Sequence, residues 1–438
     1  MVSLVALLSG PLAVAGPNFI LDDWFALSNA AFDGPLRAGG DDQLLARPGA
    51  WLVYALEFGL IGRHPLPIYL LQTVANAAVA VVLLHLARRY VGPATALCIT
   101  VVWVIMPNHG SLENWASTLN IVIALLFLLI GCLLLTEVPT PRRTAVTTLL
   151  FVCAALTYEA VIPTATLALV AVPRLERRAL RVAHLAPPLV GLAGAGAWLV
   201  LHWHPYKDVR GWADLSRVIP GHFGWGVGIP LRISGIAAAI ALAVIVASAG
   251  RLILPSLRHG ASQADGLIVA GSLVIVAGTV PFVRYYYVPL GVDDRVHVVA
   301  AIGAAMCWTG MALLVWQRRR SVAIALGALV VTAMATVNVQ RDLLYAQAGR
   351  DVLETFTELD EAMPVPRGSI MAGPLPLAEQ NIVGLLDLQA LQVHRGTRDV
   401  FGLVALDEKT YQGSPAHLRF DQWEAIRGRP PDARGLSD

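Results

Sequence analysis

Charged residues are scarce in this sequence, and lysine is nearly absent. Only 14% of the 438 residues are Asp, Glu, Lys or Arg, against about 25% in a typical soluble domain. Lysine occurs only at Lys207 and Lys409, and an arginine-rich bias of this kind is typical of a high-GC bacterial genome. The net charge of +2 gives no basis for nucleic-acid binding. An ordinary soluble domain and a nucleic-acid-binding protein are both disfavoured.

Several familiar site signatures are also missing. No glycine-rich phosphate loop, Walker motif or serine triad is present, and there are no internal repeats or low-complexity tracts. The few cysteines match no metal-binding spacing and fall inside apolar segments, which indicates buried structural thiols: Cys98, Cys132, Cys153 and Cys307.

Long apolar runs are what the sequence does have. Hydrophobic residues make up 56% of the chain and the mean hydropathy is +0.63. Nearly charge-free blocks of this length are typical of transmembrane helices. With an uncleaved first helix at the N-terminus, they predict an all-α polytopic membrane protein of about eleven transmembrane helices, the others at 65–87, 93–107, 118–136, 144–157, 160–173, 184–203, 229–249, 265–283, 296–316 and 321–338.

The arginines predict how this helical domain is oriented. If the N-terminus is cytoplasmic, the arginine pairs and clusters near residues 88, 142, 178, 251 and 319 all lie on the cytoplasmic side, as the positive-inside rule requires. The expected location is the bacterial plasma membrane. Near Asn338 the composition changes to a charge-rich helix and then strand-like runs. We therefore divide the chain into a transmembrane domain, 1–338, and a small extracytoplasmic α/β domain, 339–438.

Polar residues converge on the predicted outer face, beginning with Asp22 and Asp23 after the first apolar stretch. Adjacent carboxylates at a membrane surface suit a general base or a clamp on an acceptor hydroxyl, but either residue could instead cap the following helix. His109 and Glu113, four apart, can face the same way. A metal site at that pair would need further ligands, so we interpret the segment as a solvated loop with capping residues.

Two further outer segments carry candidates. Glu159, beside Tyr158, is a carboxylate with apolar flanks, which predicts a functional group or an ion pair with an arginine such as Arg295. Arg295 follows Asp293 and Asp294 at a helix start, where the acids could be caps and the guanidinium could bind a phosphate. Further cations on this side could help to hold an anionic lipid head group: Lys207, Arg210 and Arg284. The tyrosines at 285–287 suit an interfacial aromatic belt.

The order of these segments resembles the GT-C superfamily of integral-membrane glycosyltransferases, in particular protein O-mannosyltransferases and bacterial polyprenyl-phosphate-sugar transferases. The matching pieces, in chain order over roughly residues 1–320, are ILDDW, the segment from ARPGAWLVYALEFGLIG to LHLARRYVG, NHGSLENWAS, the Tyr158-Glu159 turn and DDRVHVVAAIG. The lysine that usually precedes the acidic residue of the turn is absent, and Glu113 is out of register.

The resemblance implies an inverting transfer of a sugar from a polyprenyl-phosphate donor to an extracytoplasmic glycan, lipid or protein acceptor. Asp22 or Asp23 would deprotonate the acceptor hydroxyl, and which of them acts stays open. Arg295, helped by Lys207 or Arg284, would stabilise the leaving phosphate, and Glu159 would orient Arg295 or a sugar hydroxyl. The same lipid-facing or sugar-facing site is expected to include Tyr158, His109 and Asp294. No nucleotide and no obligatory metal are implied, and a divalent cation on the carboxylates stays an open alternative.

Two other classes of function compete with this one. A transporter or flippase of lipid-linked sugars would share the outer anionic-lipid site but usually shows repeated halves, which this sequence lacks. In a non-catalytic cell-envelope assembly protein the acidic pair would only cap a helix.

Overall fold

The fold was taken from a computed structural model, which describes residues 5, 19, 22–171, 178–202, 234–253, 262–282, 292–362, 369–372, 401–404 and 424–427. Its helices are α1 (Asp22–Phe32), α2 (Gly40–Ala46), α3 (Pro48–Tyr54), α4 (Pro65–Ala87), α5 (Pro93–Ile105), α6 (Ser111–Asn114), α7 (Leu119–Leu135), α8 (Pro141–Thr157), α9 (Ile162–Ala171), α10 (Arg178–His202), α11 (Ser234–Ile253), α12 (Gln263–Thr279), α13 (Val298–Arg318) and α14 (Arg320–Ala362).

The chain is a predominantly α-helical membrane protein. The sequence predicts about eleven membrane spans. Among the described residues, six helices are long and apolar enough to cross a membrane: Pro65–Ala87, Ala116–Leu135, His184–His202, Gln263–Phe282, Arg295–Arg318 and Arg320–Gln347. Four shorter apolar helices accompany them: Pro48–Ile61, Pro93–Ile105, Glu159–Leu169 and Ala243–Ile253.

The helix starts are encoded locally. Proline opens α4, α5 and α8, where its fixed φ suits the first turn and its missing N–H is not needed. The Thr140 side chain caps α8 by accepting from the Arg143 N–H at 3.2 Å. Ser262 and Asp265 form a reciprocal capping box at the start of α12.

Glycines bring α12 and α13 into backbone contact. A Cβ added at Gly271 would lie 2.5 Å from the Gly303 carbonyl oxygen, and one at Gly278 would lie 2.7 Å from the Ala300 backbone nitrogen. Small residues allow this close approach, which stabilises helix pairs inside a membrane by van der Waals contact. The pairing fixes the start of α13, and with it the 3₁₀ turn Val292–His297 that carries Arg295.

The sequence predicts two short helices at 144–157 and 160–173, and the structure also has two helices in this region. Helix α8 ends at Thr157, Tyr158 is extended, and a 3₁₀ turn, Glu159–Val161, leads into α9. The turn lies at the same end of the bundle as the start of α7, because α7 and α8 are packed neighbours joined at their other ends.

Among the described residues, the Tyr158 turn and the loops that carry Arg89 and Arg143 lie at opposite ends of the α7–α8 pair. Because α7 and α8 run in opposite directions, the Tyr158 turn and the residues before α7 share one end. Arg89 pairs with Glu137 at the other end, and Arg143 donates to the Val138 carbonyl there at 3.0 Å.

The last long helix crosses the domain boundary expected at residue 338 without a break, because α14 runs from Arg320 to Ala362. Beyond it the structure describes three short strands, β1 (Ser369–Ala372), β2 (Phe401–Val404) and β3 (Glu424–Arg427). They form a sheet in the order β2-β1-β3, with β1 parallel to β2 and antiparallel to β3. Ile370 pairs with Phe401 on one side and with Ile426 on the other.

Candidate functional site

Asp23 is anchored deep inside the bundle by Ser117. Its side chain is fully buried, and its Oδ1 accepts from the Ser117 backbone N–H at 2.8 Å and from the Ser117 hydroxyl. Two donors on one carboxylate favour its ionised form. The hydrogen bonds join α1 to residues 94 positions further along the chain, so this aspartate does more than cap its own helix.

A second buried carboxylate, Glu57, lies beside Asp23. It sits in the π-helical segment Ala55–Ile61, which packs against α1. The Phe19 ring contacts the neighbours of both acidic residues: its centroid lies 5.8 Å from that of Trp24, which follows Asp23, and 6.1 Å from that of Phe58, which follows Glu57. Neither oxygen of Glu57 has a hydrogen-bond partner among the described residues. Burial first, and then the charge of Asp23, raise the pKa of Glu57 well above its ordinary value.

The segment that holds Ser117, here named the 106–118 loop, joins α5 to α7 and is itself buried. Polar side chains of α4 bind its backbone carbonyls. The Gln72 amide donates to the Trp115 carbonyl at 2.9 Å, and the Asn76 amide donates to the Leu112 carbonyl at 2.8 Å. The Tyr69 hydroxyl donates to the Asn114 carbonyl at 3.1 Å. Because buried carbonyls need donors, these bonds fix the path of the loop.

Arg295 reaches the same loop from another direction. Its guanidinium carbon lies 4.6 Å from the centroid of the Trp115 ring, a cation–π distance. The 3₁₀ turn Val292–His297 packs on the 107–109 and 111–114 parts of the loop. Trp115 and Ser117 are two residues apart, at most about 7 Å of chain. The carboxylate of Asp23 and the guanidinium of Arg295 are therefore brought to one three-residue stretch.

Glu159 has a different partner from the one that the sequence suggests. Its carboxylate pairs with Arg47, which precedes α3, and the pair is partly exposed. The Arg47 guanidinium carbon also lies 6.0 Å from the centroid of the Tyr158 ring. The expected ion pair is thus present, but the arginine precedes α3, whereas the sequence suggests Arg295.

His109 is a buried, neutral ring. It stacks on Trp103 with centroids 5.1 Å apart, and its Nδ1 lies 3.3 Å from the Asn108 Oδ1. Burial, and secondarily the charge of Arg341, lowers the pKa of His109 to about 3. The described residues include no cluster of three or more His, Cys, Asp or Glu that could hold a metal ion. The solvated-loop interpretation of His109 is wrong, because the loop is buried.

Arg341 locks the 106–118 loop from α14, and the sequence reasoning missed it. Its side chain is 4% exposed; Nη1 donates to the Pro107 carbonyl at 2.7 Å, and Nη2 lies 3.6 Å from Glu113 Oε2. Gly110 lies directly under the guanidinium, where a Cβ would overlap it. One turn earlier, the Asn338 amide donates to the Ile105 carbonyl at 2.7 Å. The signal was available: an arginine at the end of an apolar run has to find acceptors.

Several predicted site residues lie outside the part of the chain that the structure describes. Lys207, Arg210, Arg284 and the tyrosines at 285–287 are in ranges without description. Asp22, Asp293 and Asp294 are placed on their helical turns, but their side chains are not described.

An apolar cavity of about 470 Å³ opens between the helices away from these groups. Aliphatic side chains line most of it, such as Leu83, Leu128, Leu267 and Ile302, and no predicted site residue contributes to it. Its polar lining consists of Tyr90, Cys132, Thr164 and Gln263, and no Asp, Glu, Lys, Arg or His among the described residues lines it.

The candidate site is therefore the junction of α1, the 106–118 loop, the Val292–His297 turn and α14. It presents a fixed carboxylate at Asp23, a second buried carboxyl at Glu57 and a guanidinium at Arg295. This combination suits proton abstraction next to the binding of an anion. No protein-family model matches the chain, and no curated protein matches it.

Proposed function

We propose that this protein is an inverting glycosyltransferase of the GT-C type, which moves a sugar from a polyprenyl-phosphate donor to an extracytoplasmic glycan, lipid or protein acceptor. One observation carries the proposal. The 106–118 loop bonds to Asp23 through Ser117 and supports Arg295 through Trp115. The two groups that the resemblance assigns to acceptor activation and to leaving-group stabilisation meet at that loop.

The reaction follows from the chemistry of these two groups. The acceptor oxygen forms a bond to the anomeric carbon as its proton passes to an aspartate. The bond from that carbon to the phosphate oxygen breaks, and polyprenyl phosphate leaves with the electron pair. Direct displacement inverts the anomeric configuration. A guanidinium such as that of Arg295 stabilises the charge that develops on the phosphate, and Lys207 and Arg284 are further cations for this role.

Asp23 is the aspartate whose surroundings fit a base. The Ser117 hydroxyl already donates to it, and an acceptor hydroxyl would make the same kind of bond. We propose that the acceptor displaces the Ser117 hydroxyl, which requires a local opening because Asp23 is fully buried. Asp22 remains the alternative base.

We also propose a topology in the membrane and a C-terminal domain. The protein would have about eleven transmembrane helices in the bacterial inner membrane, with a cytoplasmic N-terminus. This topology would place the 106–118 loop at the outer surface. The short sheet beyond α14 would belong to an extracytoplasmic α/β domain. The salt bridge between Arg47 and Glu159 would brace the edge of the site.

The test uses the full-length protein in lipid nanodiscs, incubated with radiolabelled polyprenyl-phosphate sugars and cell-envelope acceptors. We expect a product of inverted anomeric configuration, and we expect Arg295→Gln to abolish its formation. Arg37→Gln, which changes an exposed arginine of the turn Pro35–Arg37, serves as the matched control. If labelled donor crosses proteoliposomes without sugar transfer, the protein is a transporter and the proposal is wrong.

A further inference from the structure

The carboxyl group of Glu57 has an environment that no other described acidic residue of the outer loops shares. Its side chain is fully buried, and both of its oxygens are without a hydrogen-bond partner among the described residues. An ionised carboxylate in such a place loses its hydration without gaining a partner, and a protonated carboxyl group avoids most of that cost.

Asp23, its neighbour, has the opposite environment. It receives two hydrogen bonds from Ser117, one of them from a backbone N–H that cannot accept in return. Donors stabilise a carboxylate, while an apolar site without donors stabilises the acid. Two close carboxyl groups with such different surroundings hold a single proton on the group that has no donors.

We infer that Glu57 is a protonated, neutral residue in the resting protein, and that the Asp23–Glu57 pair carries one negative charge, localised on Asp23. The role of Glu57 is then to stand beside the base without repelling its charge.

The other elements packed around Glu57 leave this arrangement intact. Helix α4 contributes Tyr69, a group that is neutral near pH 7, and α3 contributes Tyr54, whose ring lies 5.9 Å from that of Phe58. On the turn Pro35–Arg37, the side chain of Arg37 is exposed. Burial and the charge of Asp23 act in the same direction on the pKa of Glu57, which both raise.

This inference deepens the proposed function and rests on it for its role in catalysis. A neutral Glu57 lets Asp23 keep its charge and accept the acceptor proton. Above the pH at which Glu57 ionises, two negative charges would share the buried site and transfer would decline. Glu57→Gln keeps the shape and removes the titration, so we expect it to shift the decline of transfer to higher pH.

The protonation itself is tested without any substrate, by the pH dependence of unfolding of the detergent-solubilised protein and of Glu57→Gln. In the unfolded chain Glu57 ionises near its ordinary pKa of about 4.3. The folded protein holds the proton to a higher pH, so this stabilising contribution is complete in acid and is lost as the pH rises. The folding equilibrium constant of Glu57→Gln should therefore gain about tenfold per pH unit on that of the wild type above pH ~4.3.

A difference between the two proteins that is constant with pH would overturn the inference, because Glu57 would then be ionised in the fold. Asp33→Asn, at an exposed position after α1, is the matched carboxyl-to-amide control. If Glu57→Gln does not fold, infrared titration of the wild type and of Asp23→Asn decides the question. The carboxylic-acid band of Glu57 should titrate at a lower pH in Asp23→Asn, and an identical titration in both proteins would overturn the inference. These readouts need no transfer activity, so they can succeed even if the proposed function fails.

Discussion

Ser117 donates both its backbone N–H, at 2.8 Å, and its hydroxyl to the same oxygen of Asp23, across 94 positions of sequence. These two hydrogen bonds to one carboxylate connect α1 to the loop before α7. It explains why a residue that looks like a helix cap in the sequence is fully buried in the fold.

Ser117→Ala removes the hydroxyl donor and leaves the backbone donor. A hydrogen bond to a charged group is worth about 1.5–3 kcal/mol, so the free energy of unfolding should fall by about 2 kcal/mol. Ser272→Ala should change it less, because the Ser272 hydroxyl donates to the Ile268 carbonyl of its own helix and otherwise meets only the neutral Cys307 sulfur at 3.7 Å. Chemical denaturation measures both variants.

Sugar transfer by Ser117→Ala tests whether this hydroxyl occupies the place of the acceptor. We expect the folded variant to retain transfer, with an acceptor KM no higher than that of the wild type, because the acceptor no longer displaces a competing donor. Complete loss of transfer in a folded Ser117→Ala protein would contradict that role.

Gly110→Ala tests the lock between α14 and the 106–118 loop. The added methyl group would overlap the Arg341 guanidinium, and overpacking of this kind costs about 1–3 kcal/mol. Gly327→Ala is the matched control, because a Cβ there meets nothing within 4 Å. We expect thermal stability to fall for Gly110→Ala and to be kept for Gly327→Ala. Equal stability of the two variants would mean that the guanidinium does not lie over Gly110.

His109 gives a prediction about acid stability. Its pKa is lowered to about 3 in the fold, while the unfolded chain binds the proton near pH 6.5. As the pH falls below 6.5 the unfolded state gains about 1.4 kcal/mol per pH unit from this histidine. His109→Gln should lose less stability than the wild type between pH 6.5 and pH 4.

The exposed His64 supplies the control for that experiment. The acid unfolding of His64→Gln and of His109→Gln is compared by intrinsic fluorescence. If His109→Gln and His64→Gln lose stability in parallel, His109 is not buried in the neutral form.

The salt bridge between Arg47 and Glu159 is open to a double-mutant cycle. Because the two side chains are 17% and 33% exposed, we expect a coupling energy of about 0.5–1 kcal/mol from Arg47→Gln, Glu159→Gln and the double variant. Additive effects on the free energy of unfolding would show that the pair is not coupled.

Much of the membrane architecture could be predicted because it rests on local signals. The apolar runs that form α4, α7, α12 and α13 are long enough to identify by composition, and the break at Tyr158 follows from arginines at both ends of the segment. Because successive loops alternate between the two ends of the helices, the sequence also predicts that Asp23 and Arg295 lie at the same end.

The long-range contacts could not be predicted, because nothing local encodes them. The change of composition at Asn338 suggested the start of a separate domain, yet Asn338 and Arg341 are polar because they bind carbonyls of the 106–118 loop. The segment that carries Glu57 packs against α1, and the Glu57 side chain is fully buried, a contact that the segment's own residues do not encode. Arg47 pairs with Glu159 across 112 positions of sequence, so this contact too depends on the fold.

The central claim is that Asp23 takes a proton during sugar transfer, and the initial rate of transfer by Asp23→Asn tests it most directly. Asparagine keeps an oxygen acceptor for Ser117, so the variant should fold. We expect its rate to fall by about 10²–10⁴-fold, the usual contribution of a general base, while Asp33→Asn in the same preparation keeps the wild-type rate. A folded Asp23→Asn protein that transfers sugar at the wild-type rate would contradict the account.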